Sequence, residues 1–115
     1  MKFGKFLASK RSYRHPIGMD TRVMVPENEP PATIREVVLA LNSEKLEAHH
    51  NKQNWGDWIE FKEKKTVISI ESNRGLASSA TIEEAEGEGE VFGRIITAFR
   101  KMGWEGEDED GRYPL

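Results

Sequence analysis

His49 and His50 are the residues in this chain whose chemistry is most readily put to use, because imidazole serves both as a metal ligand and as an acid–base group near neutral pH. They are adjacent, His15 lies far upstream, and Glu44, Glu47 and Asp57 are the nearest carboxylates. Neighbouring side chains diverge on a helix and on a strand alike. Without a His-x-His or His-x3-His spacing the pair is not expected to converge on a metal. The expectation is no metal and no cofactor; a small enzyme or metal-binding protein using His49 and His50 is the third-ranked reading.

Gly87-x-Gly89-x-x-x-Gly93 ahead of a helix has the outline of a phosphate-binding turn. Its intervening residues argue against that use, since Glu88 and Glu90 would set two carboxylates beside an anion that a helix N-terminus favours by only about 1 kcal/mol. The Lys-Ser/Thr pair of a Walker loop is missing as well. The chain has no cysteine, which removes thiolate nucleophiles, disulfides and Cys-zinc sites. No Ser-His-Asp or Gly-x-Ser-x-Gly arrangement is evident, so no catalytic residue is assigned.

Charge is distributed unevenly along the 115 residues, whose net charge is −3. Up to Val25, Lys2, Lys5, Lys10, Arg11, Arg14 and Arg22 face Asp20 alone, whereas from Glu83 to Asp110 carboxylates far outnumber Arg94, Arg100 and Lys101. Lys10, Arg11, Tyr13 and Arg14 mix cations with an aromatic ring, as nucleic-acid surfaces do, and define the runner-up reading: a nucleic-acid-associated protein. The leading reading is a small non-catalytic protein-interaction module, an adaptor, inhibitor or immunity-like protein, docking on another protein. Its candidate binding residues are Trp55, Trp58, Glu60 and Glu71 on an open sheet face, with Glu88, Glu90, Glu107 and Asp108 in the acidic C-terminal region.

These residues need positioning, and W-G-D-W-I-E-F-K-E-K-K-T-V-I-S-I-E, Trp55 to Glu71, reads as a hairpin. Pairing Phe61 with Ile68 and Ile59 with Ile70 gathers one apolar face and leaves Glu60 opposite Ser69 and Trp58 opposite Glu71. A four-residue loop suits this register better than a two-residue turn, for which Lys64-Lys65 lacks Gly or Asn. Thr21 to Val25 predicts a strand ending at Pro26. Residues 44 to 54 are ambiguous, Leu46 and Ala48 fitting a helical turn or a short strand and Asn51 to Asn54 reading as loop, and Leu76 to Glu86 leans to strand.

Two helices are better specified. Thr33 and Glu36 form a capping box ahead of Ile34, Val37, Val38 and Leu41, one apolar stripe ending near Asn42 or Ser43. A second helix runs from Glu88 to Met102 on Val91, Phe92, Ile95, Ile96 and Phe99, with Gly103 as its C-terminal cap. The expected fold is an α+β two-layer sandwich. An antiparallel sheet of three to four strands is covered on one face by two amphipathic helices, β-α-β-β-(β)-α, ferredoxin-like without the last strand. Residues 1 to 104 make one domain, and 105 to 115 trail as an acidic, mobile tail. No apolar run approaches the roughly 18 residues of a membrane span, and the N-terminus lacks a signal-peptide core. The expected compartment is therefore the cytoplasm, with no membrane partner.

Overall fold

The structure, a computed structural model, describes residues 18–115. Its elements are β1 (Gly18–Met24), β2 (Ala32–Thr33), α1 (Ile34–Ser43), β3 (Ala48–Gln53), β4 (Gly56–Phe61), β5 (Val67–Asn73), β6 (Leu76–Ala85), α2 (Gly89–Lys101), β7 (Glu105–Asp108) and β8 (Gly111–Pro114). No helix among them is long and apolar enough to cross a membrane.

The expected sandwich on a three- to four-stranded sheet is corrected. The described residues form one eight-stranded sheet in the order β3-β4-β5-β6-β1-β7-β8, with β2 also paired to β6. Every pairing is antiparallel, so no ferredoxin-like parallel crossover exists among them. The extra strands come from polar stretches. β3 reads A-H-H-N-K-Q and is an edge, so one alternating apolar face is not required of it. Residues 105–114, expected to trail as a tail, pair with β1 as the hairpin β7–β8.

Specific contacts build that hairpin. Trp104 is buried, its ring centroid 4.8 Å from that of Phe99. Gly106 faces Tyr113, whose ring lies where a Cβ on Gly106 would be. The Asp108 carboxylate accepts the Asp110 N–H at 2.8 Å, an Asx turn that reverses the chain. Arg22 Nε donates to Glu107 Oε1 at 3.0 Å, and Arg112 Nη1 donates to the Val25 carbonyl at 3.1 Å.

The helices form as their local signals dictate. The Thr33 hydroxyl accepts from the Glu36 N–H at 3.0 Å while Glu36 Oε1 accepts from the Thr33 N–H at 2.8 Å, satisfying two donors that a helix start leaves open. Gly103 closes α2 at φ 86, a conformation that costs other residues. Ile34, Val37 and Leu41 of α1, and Val91, Ile95 and Phe99 of α2, share one core with Ile59, Phe61, Ile68, Ile70, Ile82 and Val23 of the sheet.

The β4–β5 register differs from expectation by two residues. Ile59 stands opposite Ile68, Asp57 opposite Ile70, Trp58 opposite Ser69 and Glu60 opposite Val67. A two-residue slip leaves every side chain on its face, so the apolar pattern does not distinguish the two registers. The entry into β5 is held by a remote residue, Glu88. Thr66, fully buried, donates its N–H at 2.9 Å and its hydroxyl at 2.6 Å to Glu88 Oε1. Lys65 N–H meets Glu88 Oε2 at 3.0 Å, and Ala85 N–H donates to the Thr66 hydroxyl at 3.0 Å.

At the β3 edge, the Asn42 side chain behaves as a fragment of an additional strand. Its Oδ1 accepts the Ala48 N–H at 2.8 Å and its Nδ2 donates to the Ala48 carbonyl at 3.4 Å. A residue in an antiparallel strand sends both backbone groups the same way, so Ala48 points away from β4 and Asn42 occupies the free side.

Candidate functional site

Side chains alternate along each strand, so the sheet has a helix-covered side and an outward side. Outward positions follow from the register. Asn51, Trp58, Ser69, Thr81, Arg22 and Glu107 form one row across six strands. His49, Glu60, Val67, Glu83 and Asp20 form the next. Among the described residues no helix or loop layer covers these rows; the two helices pack against the other side.

Charge on this side is mostly negative. Asp20, Glu60, Glu71, Glu83, Glu105 and Glu107 outweigh Arg22 and Arg112, which are ion-paired with Glu107 and Glu105. Asp20 and Glu83 stand directly opposite each other, and among the described residues neither has a cation within ion-pair distance. Glu60 Oε1 is contacted by His49 Nε2 at 3.2 Å and by Asn51 Nδ2 at 3.4 Å.

At one corner sit Trp55 and Trp58, ring centroids 5.8 Å apart and planes inclined at 69°. Trp58 is half-buried, and its indole N–H donates to Ser69 Oγ at 3.1 Å, which fixes the ring on the face. Trp55, in the β3–β4 turn, is 53% exposed. Gly56 between them approaches β5 so closely that a Cβ would lie 2.6 Å from the Ile70 carbonyl oxygen, which requires glycine there. The same approach brings Glu71 beside Gly56.

The acidic candidates are scattered by the fold. Glu88 bends back to hold the β4–β5 loop; burial alone would raise its pKa. The hydrogen bonds from the Thr66 hydroxyl and the Lys65 and Thr66 amides, with the nearby Lys64 charge, bring it below the usual value. Glu90 pairs with Arg94 at 2.9 Å on α2, Glu107 with Arg22, and Asp108 caps its own turn. Only Trp55, Trp58, Glu60 and Glu71 share the outward face near one another. Lys10, Arg11, Tyr13, Arg14 and His15 lie outside the described residues.

One cluster escaped sequence reasoning. Asp57, 2% exposed on the helix-covered side, receives His50 Nε2 on Oδ1 and the Ser72 hydroxyl on Oδ2. The three residue types of a hydrolase triad are thus together, in an order that does not suit one: the carboxylate lies between serine and histidine, so the hydroxyl has no imidazole base. Burial alone would raise the Asp57 pKa, but the bonds from Ser72 and His50 and the charges of His50 and Lys52 hold it below the usual carboxylate value. Asp57 and Ser72 meet diagonally across β4 and β5: Asp57 stands opposite Ile70, and Ser72 follows two residues on, on the same face. Among the described residues no three His, Cys, Asp or Glu side chains converge as metal ligands. A cleft of about 370 Å³ beside the start of α2 is floored by Leu46, Phe61 and Val91 and holds no histidine.

Compared with protein-family models, curated proteins and solved structures, the chain matches none of them.

Proposed function

We propose that this protein is a non-catalytic interaction module that docks another protein on the outward face of its sheet, centred on Trp55 and Trp58. One observation carries the reading: an exposed tryptophan, Trp55, packs on a half-buried one, Trp58, at a sheet face that no described layer covers. Tryptophan is the residue type most enriched among the anchors of protein interfaces, where a flat aromatic is buried inside a polar rim. His49, Asn51, Glu60, Ser69 and Glu71 supply such a rim. The face's excess of carboxylates favours a partner carrying positive charge and disfavours a nucleic acid. The nucleic-acid reading rests on Lys10, Arg11, Tyr13 and Arg14, and no contact of the described face favours it.

The test compares baits that differ in one side chain. A partner retained by the wild-type chain and by Lys101→Ala, whose ammonium is paired with Glu44 away from this face, and lost from Trp55→Ala and Glu71→Lys, supports docking here. Identical partner sets on all four baits refute it.

A further inference from the structure

We infer that the Trp55–Trp58 corner holds an ammonium group, the side chain of a lysine on the partner protein, most tightly when that lysine is N-methylated. The inference rests on the docking reading above and names the group that fills its centre.

The shape comes first. The two indoles meet edge to face, centroids 5.8 Å apart and planes inclined at 69°, so that a face of each borders the angle between them, and Trp55 is 53% exposed. A cation within about 6 Å of an indole centroid is attracted by the negative face of the ring, and two faces attract it twice. The Trp58 ring is fixed by its N–H bond to Ser69 Oγ, and Trp55 leans on it edge to face from the turn before Gly56.

Charge gives the sign. Glu71 is exposed beside Gly56, and among the described residues no cation lies within ion-pair distance of its carboxylate. With the Glu71 backbone beside Gly56, on the side of β5 that faces outward with Trp58, its negative charge disfavours phosphates and carboxylates at this corner and suits a cation. A planar guanidinium stacks flat on one ring and leaves the second wall unused, whereas a rounded ammonium touches both. Methylation spreads the ammonium charge and weakens its hydration, lowering the cost of entering the corner.

The probe is a short glycine-flanked peptide carrying trimethyllysine, titrated into the 115-residue chain while tryptophan fluorescence is read. Parallel titrations use unmodified lysine, the uncharged tert-butyl isostere and arginine in the same peptide, and phosphatidylcholine vesicles. Saturable binding of the trimethyllysine peptide, weakened about tenfold or more by the isostere and by Trp55→Ala, supports the inference. Glu71→Gln is expected to weaken it about threefold while near-ultraviolet circular dichroism shows an unchanged fold, so the result does not hinge on one variant. Equal affinity for the isostere means an apolar contact and overturns the inference; so do no saturation, tighter binding of arginine, or binding confined to vesicles. If a partner still depends on Trp55 in capture while the peptide neither binds nor competes, the ammonium assignment fails and the docking reading stands. Peptide binding with Trp55-independent capture is the reverse.

Discussion

Replacing Glu88 with alanine removes the acceptor that holds the β4–β5 loop at the entry to β5. The carboxylate takes the Thr66 N–H at 2.9 Å, the Thr66 hydroxyl at 2.6 Å and the Lys65 N–H at 3.0 Å. Thr66 is fully buried, so its two donors lose their partner where water does not readily replace it. A stranded buried polar group costs about 1–3 kcal/mol, and two of them with partial relaxation give an expected loss of about 3 kcal/mol. That is a large share of a stability of about 5–15 kcal/mol. Glu88→Gln keeps one oxygen for Thr66 and loses the charge, for an expected loss of about 1 kcal/mol. The measurement is urea unfolding followed by tryptophan fluorescence with an unchanged m-value. The Glu88 pKa is lower in the folded chain than its ordinary value of 4.5. The stability its charge contributes is therefore full above about pH 4.5 and is lost as the pH falls through the folded value, where the unfolded chain binds the proton first. The gap between wild type and Glu88→Gln should hold constant at neutral pH and close in acid. A Glu88→Ala loss below about 0.5 kcal/mol, within the usual range of surface changes, would refute the idea that this contact fixes the loop.

Two further outcomes follow from neighbouring contacts. Glu83→Lys replaces a like-charge pair with Asp20 by an opposite one and should raise stability by about 0.5–1 kcal/mol at low salt; a gain that persists unchanged in molar salt contradicts the electrostatic cause. Gly106→Ala places a methyl group where the Tyr113 ring lies, so the ring must leave its position. We expect a loss of about 1–2 kcal/mol and faster amide exchange across β7–β8, and equal exchange in the two proteins would mean that the ring is not packed there.

Elements made by local chemistry were legible in the sequence. The Thr33–Glu36 box and the stripes of α1 and α2 depend on residues three or four apart, and those residues form the helices observed. Elements made by distant chemistry were not. β3 lacks an alternating apolar pattern because it is an edge, and β7–β8 hides in a run of carboxylates whose turn signal, Asp108-Glu109-Asp110-Gly111, was overshadowed by its charge. The hairpin register slipped by two because both alternatives bury the same residues, so the apolar pattern does not distinguish them. At the candidate site, alternation put Trp58, Glu60 and Glu71 on one face correctly. That Trp55 would meet Trp58 edge to face depends on the tight turn at Gly56. Glu88 was offered to a partner because its place at a helix start says nothing about which way the carboxylate folds.

The edge contact of Asn42 has a consequence for self-assembly. Among the described residues the eight-stranded sheet has two margins, β3 and β8, each a template on which further strands from other molecules can stack into fibres. One margin ends on Pro114, whose ring nitrogen has no proton to give. The other begins on Ala48, whose two backbone groups are already taken by a single carboxamide. Among the described residues each margin thus carries one local block to strand addition, the imino acid Pro114 on β8 and the Asn42 amide at Ala48 on β3.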